Sequence, residues 1–381
     1  MKLQVNFNGL TVYRNLLSLP AIQALNGLNA EQEAWPAAYG NAYFALAREG
    51  YDSLAAYLTD HLRYDESPFA VAVAKGEETP ALTGAAAHDL EVLNGVVKLP
   101  WDELRQSVTP ALPAWEEGEI PTLEELTEFY RINGCGQFAR YRAFVWQEGS
   151  LHSVREPDFV PVEEMLGYER QREQVAANTR ALLNGHRVNN MLLYGVSGTG
   201  KSATVKALLG MEGMENLRLI EVDKADLTGI PQLVRMLGHQ PQKFILFIDD
   251  LAFDKDDKSY SLLKTILEGG VEPRPANVAV YATSNRRHLV RETFSDRQGD
   301  EINARETMQE KTSLSERFGL RVIFNELTKP QFLNMVRELA KIRGIDMDEE
   351  RLMALAVRWD VRNPNRTPRS AVQFIDSLAA M

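Results

Sequence analysis

Gly195, Val196, Ser197, Gly198, Thr199, Gly200, Lys201 and Ser202 spell a complete G-x-x-x-x-G-K-[ST] loop, and no other feature restricts the fold of this chain as strongly. A triphosphate is a dense anion, so a loop that holds it must bring backbone N–H groups within hydrogen-bond range of several oxygens, and side chains obstruct that approach. Glycine at 195, 198 and 200 keeps the backbone bare. Lys201 can then set a point charge on the β and γ phosphates, and the Ser202 hydroxyl can ligate magnesium where the chain turns, through Ala203, into a helix. The flanks agree, with the apolar, strand-like NNMLLY before the loop and the helix-like ATVKALL after it.

The usual companion of such a loop follows downstream. Phe244-Ile-Leu-Phe-Ile-Asp249-Asp250 is apolar on both faces, as a central strand of a parallel sheet must be, and the C-terminal ends of such strands are where ligands bind. Asp249 is therefore placed to hold magnesium through water. Asp250 is the candidate for polarising an attacking water, with one methylene less reach than the glutamate that often has this task.

The chain has 381 residues, of which 44% are hydrophobic and 25% charged, enough for two or three domains with ample core. A single cysteine, Cys135, excludes an intramolecular disulfide, and six scattered histidines lack paired ligand spacing. With no apolar stretch of membrane-spanning length and no secretory pattern at MKLQVNFNGL, the expected location is cytoplasmic, away from any membrane. The net charge of −11 is unevenly spread: residues 1–150 hold 10 Lys/Arg against 20 Asp/Glu, out of 42 and 53 in the whole chain. An acidic N-terminal part does not bind nucleic acid by charge alone. Its acids form either a solvated face or a docking surface for a basic partner.

Residues 1–155 are expected to form a mostly α-helical domain. AWPAAYGNAYFALAREG and YDSLAAYLTDHL carry apolar residues at three-to-four spacing, and Thr122-Leu-Glu-Glu125 is a capping box that opens a helix closed by Gly134. YRAFVWQEGSLHSV reads as a hairpin at the end of this domain, before the proline-bearing connection REPDFVP. From 156 to 327 strands and helices alternate, as a parallel sheet covered by helices requires, and 328–381 is helical. The fold class is thus α/β, a P-loop NTPase core with a C-terminal helical lid and a helical N-terminal domain.

With these elements in this order, residues 160–381 resemble the AAA superfamily of ATPases. Gly167-Tyr-Glu-Arg-Gln171, Ile220-Glu-Val-Asp-Lys224, ATSNRRHL from Ala282 and Ser313-Leu-Ser-Glu-Arg-Phe-Gly319 are more narrowly similar to a bacterial AAA family known as domain of unknown function 815. That resemblance extends the family to the N-terminal part. It implies ATP as the nucleotide, Mg2+ as the metal, and hydrolysis of ATP as the activity. Asn285 matches the polar residue called sensor 1, which helps position the attacking water. Arg317 matches the arginine finger that reaches the γ-phosphate of a neighbouring subunit, which implies a homo-oligomer with shared active sites. Arg369 matches sensor 2, with Arg366 a close rival, and Leu166, Gly167 and Tyr168 match the segment over the adenine.

One departure from the wider superfamily is informative. Members that thread protein carry an aromatic residue between the second strand and its helix, where this chain has DKADLTG, so peptide threading is disfavoured. The resemblance carries an activity class and no substrate, and the first expectation is an ATPase that remodels or regulates an unidentified protein partner held by the N-terminal domain. Two alternatives stay open: a nucleotide-state switch with slow hydrolysis, and a nucleic-acid-associated loader or initiator. The Asp-Asp ending and the basic run from Asn285 to Arg297 keep the latter alive, and Glu292–Lys311 reads as a polar, mobile insertion.

Overall fold

The computed structural model describes residues 4–158, 160, 165–252, 263–264, 267, 274–285 and 316–379. Two compact units emerge, Met1–Arg140 with Gln240–Gln242, and Tyr141–His239 with Lys243–Met381.

The first unit is mostly helical among its described residues: α1 Pro20–Leu25, α2 Trp35–Arg48, α3 Leu54–Arg63, α4 Pro68–Lys75, α5 Pro80–Val97, α6 Trp101–Gln106, α7 Leu123–Asn133 and α8 Gly136–Arg140. Its starts are chemically marked. Ser53 and Ser67 accept N–H bonds at the heads of α3 and α4, and the capping box before α7 forms in both directions, Thr122 N–H to Glu125 at 2.8 Å and Glu125 N–H to Thr122 at 3.2 Å. The apolar stripes converge on one core built around Tyr13, Tyr39, Tyr57, Phe69 and Tyr130. At its edge the fully buried Asp89 of α5 takes the backbone N–H groups of Thr11, Val12 and Tyr13 at 2.8–2.9 Å.

The second unit is built on a seven-stranded sheet, β1 Ala143–Gln147, β2 Ser150–Val154, β3 Met191–Gly195, β4 Leu217–Val222, β5 Lys243–Ile248, β6 Val278–Ser284 and β7 Leu320–Phe324, in the order β2-β1-β4-β5-β6-β3-β7. Only the β1–β2 pairing is antiparallel. Burial explains the sequence patterns. Every residue of β6 and all but the first of β5 are buried, hence their unbroken apolar runs, whereas of the outermost strands β7 alternates and β2 has no buried residue. The helices α9 Glu169–Leu183, α10 Lys201–Ala207 and α11 Ile230–Leu237 connect the strands.

The hairpin differs from expectation. β1 and β2 extend the sheet, with β1 parallel to β4 from Ala143↔Leu219 to Trp146↔Val222, so the sheet unit begins at Tyr141 and not near residue 155. A hairpin's local pairing is legible in its turn, but its outer parallel partner lies more than seventy residues away in the chain.

After β7 come α12 Lys329–Ile342, α13 Glu349–Arg362 and α14 Pro368–Ala379, packed around Phe332, Val336, Ala356, Ala371 and Ile375, with Leu166 and Tyr168 against this core. No described helix is long and apolar enough to cross a membrane.

Candidate functional site

β6 lies between β3 and β5, with Tyr194 beside Ser284 and Ile248 beside Ala282, so three strand ends meet: the glycine loop, the two acids and Asn285. The loop needs its glycines for separate reasons. At Gly195, with φ 145°, a Cβ would stand 2.0 Å from the Phe324 carbonyl oxygen. At Gly198, with φ 81°, it would meet Thr367 and Arg369 at 3.1 and 3.2 Å.

Lys201, almost fully buried, opens α10. Its three ammonium protons go to the Gly195 carbonyl at 3.0 Å, the Val196 carbonyl at 2.9 Å and Asn285 Oδ1 at 2.9 Å. Burial pulls its pKa down and Arg369 adds to this, while Asp250 and Asp249 oppose both. Asn285 in turn donates through Nδ2 to Asp250 Oδ1 at 2.8 Å, so one amide joins the loop lysine to the second acid. The first acid faces Ser202, whose Oγ donates to Asp249 Oδ1 at 2.6 Å. Asp250 sits at φ 48°, a left-handed backbone that aspartate tolerates better than most residues.

These groups line a cavity of about 510 Å³ together with Leu166, Tyr168, Arg172 and Val372. Ser197, Gly198, Thr199, Gly200, Lys201, Ser202 and Ala203 line it too, while Gly195 and Val196 stand behind them and offer their carbonyls to Lys201. Gly167, at φ 72°, lies outside the lining beside Met335. Tyr168 reaches across to the Asn325 carbonyl at 2.5 Å, tying the segment before α9 to the chain after β7.

The two rival arginines separate. Arg369 lines the cavity, and its N–H bonds the Gly198 carbonyl at 3.2 Å. Arg366 instead forks onto the buried Asp360 at 2.8 and 3.2 Å, a pairing that holds its pKa above the usual value. Arg317 is half-buried in the segment before β7 and does not line its own chain's cavity. The basic run after Asn285 and the insertion 292–311 lie outside the described residues.

Sequence reasoning missed several lining residues, Thr283 and Arg172 among them. Thr283, in ATSN, hides in an apolar strand, where a β-branched residue reads as filler. Arg172, whose guanidinium bonds the Gly167 carbonyl, hides on a polar helix face, and burial lowers its pKa.

Among the described residues no group of three or more His, Cys, Asp or Glu side chains could hold a metal. Ser202 and Asp249 nevertheless suit magnesium, which takes hard oxygen donors and completes its shell with water and phosphate oxygens. A parallel sheet with a glycine loop after β3, paired acids after β5, a polar strand end between them and a three-helix lid that brings Arg369 to the loop defines an AAA-type P-loop NTPase fold.

The chain belongs to the family described as "Protein of unknown function (DUF815)", whose profile matches residues 139–381. The match leaves the N-terminal helical region outside it, where the resemblance had included that region. No curated protein matches the chain. Among solved structures, the Holliday junction branch migration motor RuvB of Thermotoga maritima aligns at 16% identity and a TM-score of 0.40, covering 58% of this chain and 64% of that one. The Aeropyrum pernix ORC1 protein, solved in complex with DNA, aligns at 17% identity and a TM-score of 0.37, covering 59% and 66%. The chain thus spans less than two thirds of either.

Proposed function

We propose that the chain binds ATP with Mg2+ and hydrolyses it, as a homo-oligomer that remodels or regulates a protein partner held by its helical N-terminal unit. The observation that carries this reading is the continuous chain Lys201–Asn285–Asp250 beside the Ser202–Asp249 pair in one cavity. Lys201 and the loop N–H groups bind the phosphates. Ser202 and Asp249 hold Mg2+, which when bound neutralises charge developing on the phosphates. Asp250 accepts a proton from the attacking water, and Asn285 fixes the direction in which its carboxylate points. Arg369 carries the lid to the phosphates. Arg317, outside its own chain's cavity, serves the site of a neighbouring subunit, where such arginines add about 10³ or more in rate. Leu166 and Tyr168 frame the base, and Gly167 joins them from outside the lining.

Replacing Lys201 with alanine tests the core of the reading: ATP affinity should fall about 100-fold with the loss of a charge-assisted contact. Retained tight binding would remove the phosphate assignment. Arg317→Ala should keep ATP binding and lose turnover, in wild type a rate per subunit that rises with protein concentration. Turnover indifferent to that change would sink the shared site. A second reading, a nucleotide-state switch, is favoured by the shorter Asp250 and its tether to Asn285, and predicts slow turnover with a large difference in partner affinity between ATP and ADP.

A further inference from the structure

Strand alternation sends Thr283 and Asn285 to one side of β6 and Ser284 to the other, where the Ser284 hydroxyl donates to the Leu251 carbonyl at 2.8 Å. The side that carries Thr283 and Asn285 is the side of the acids. A hydroxyl has one proton and two lone pairs, and Thr283 uses both functions on neighbouring residues. Oγ1 donates to Asp249 Oδ1 at 2.5 Å and accepts the Asp250 N–H at 2.9 Å. Thr283 is 2% exposed and lines the cavity.

The consequence for Asp249 is geometric. Its Oδ1 takes the Ser202 hydroxyl, the Thr283 hydroxyl and, at 3.1 Å, the Asp250 N–H. Among the described residues Oδ2 takes none. We propose that Thr283 is a positioning residue for the metal site: it ties one oxygen of Asp249 so that the other is presented to the metal's water, and through the Asp250 N–H it holds the left-handed turn that aims the second acid. Thr283 and Asn285 thus divide the work, one setting each acid. A valine would keep the shape and the strand propensity of Thr283 while removing one of the three donors on Asp249 Oδ1 and one of the two acceptors of the Asp250 N–H.

This rests on the Mg·ATP reading above, and the test separates the two. Binding of a non-hydrolysable ATP analogue is measured by calorimetry with and without Mg2+, and Mn2+ binding to the ADP complex by electron paramagnetic resonance, in wild type, Thr283→Val, Thr283→Ala and Thr283→Ser. The expected result is metal-free analogue affinity within about twofold of wild type throughout, Mn2+ affinity lower by about 10-fold or more in Thr283→Val and Thr283→Ala, and recovery in Thr283→Ser. Wild-type Mn2+ affinity in Thr283→Val or Thr283→Ala overturns the inference alone. So does a Thr283→Ser as weak as the valine form, since packing and not the hydroxyl would then matter. A wild type that binds no analogue overturns both readings.

Discussion

Asp89 in the helical unit and Asp249 at the end of β5 are both surrounded by hydroxyl and backbone donors, yet their oxygens are used differently. Asp89 spends both: Oδ1 takes the Thr11 N–H and hydroxyl at 2.8 and 2.9 Å, and Oδ2 takes the N–H groups of Thr11, Val12 and Tyr13 at 2.8–2.9 Å. Asp249 gathers its donors on Oδ1 alone. A carboxylate with all its capacity met locally fixes the chain around it, whereas one with an oxygen held in reserve can bind something else. The same comparison extends to Asp250, exposed and bonded by a single side-chain donor, Asn285.

The comparison fails first, and most visibly, at Asp250. Asp250→Asn should leave ATP binding intact and slow turnover about 100-fold, the lower end of what a positioned base supplies. Steady-state phosphate release checks this, and unchanged turnover would move the water-activating role elsewhere. Asp89→Asn should do the reverse. Placing an amide donor against four donor groups costs about 2–3 kcal/mol of stability, seen in urea denaturation followed by tryptophan fluorescence, while the analogue affinity of the folded protein stays at its wild-type value. A stability loss from Asp250→Asn as large as that from Asp89→Asn would erase the distinction. The smallest effect concerns the two lid arginines: Arg369→Ala should weaken ATP about tenfold and Arg366→Ala by no more than about twofold, read by calorimetry. The opposite order would return the sensor role to Arg366.

How much of this was legible depends on whether the deciding interaction is local. The loop, the strand ending in Asp249 and Asp250, and the capping box at Thr122 are each contained in a few consecutive residues, so spacing alone reveals them. The alternation of strands and helices after residue 190 is similarly local and carries the parallel sheet with it. The pairing of β1 with β4 is not local, nor is the bond from Thr283 back to Asp249, 34 residues earlier. Asp89 in PALTGAAAHDLEVLNGVV reads as a solvated polar position, because its four donor groups belong to Thr11, Val12 and Tyr13, more than seventy residues away. Arg366 and Arg369 stand three positions apart and look interchangeable until Asp360 claims one of them.

The bond between the Arg369 N–H and the Gly198 carbonyl joins main chain to main chain. Side-chain replacement anywhere in the lid leaves both of its atoms in place, proline at position 369 excepted. The first turn of α14 is therefore tied to the glycine loop here by main-chain atoms alone. The side chains that α14 exposes can change while this link between the lid and the glycine loop is kept.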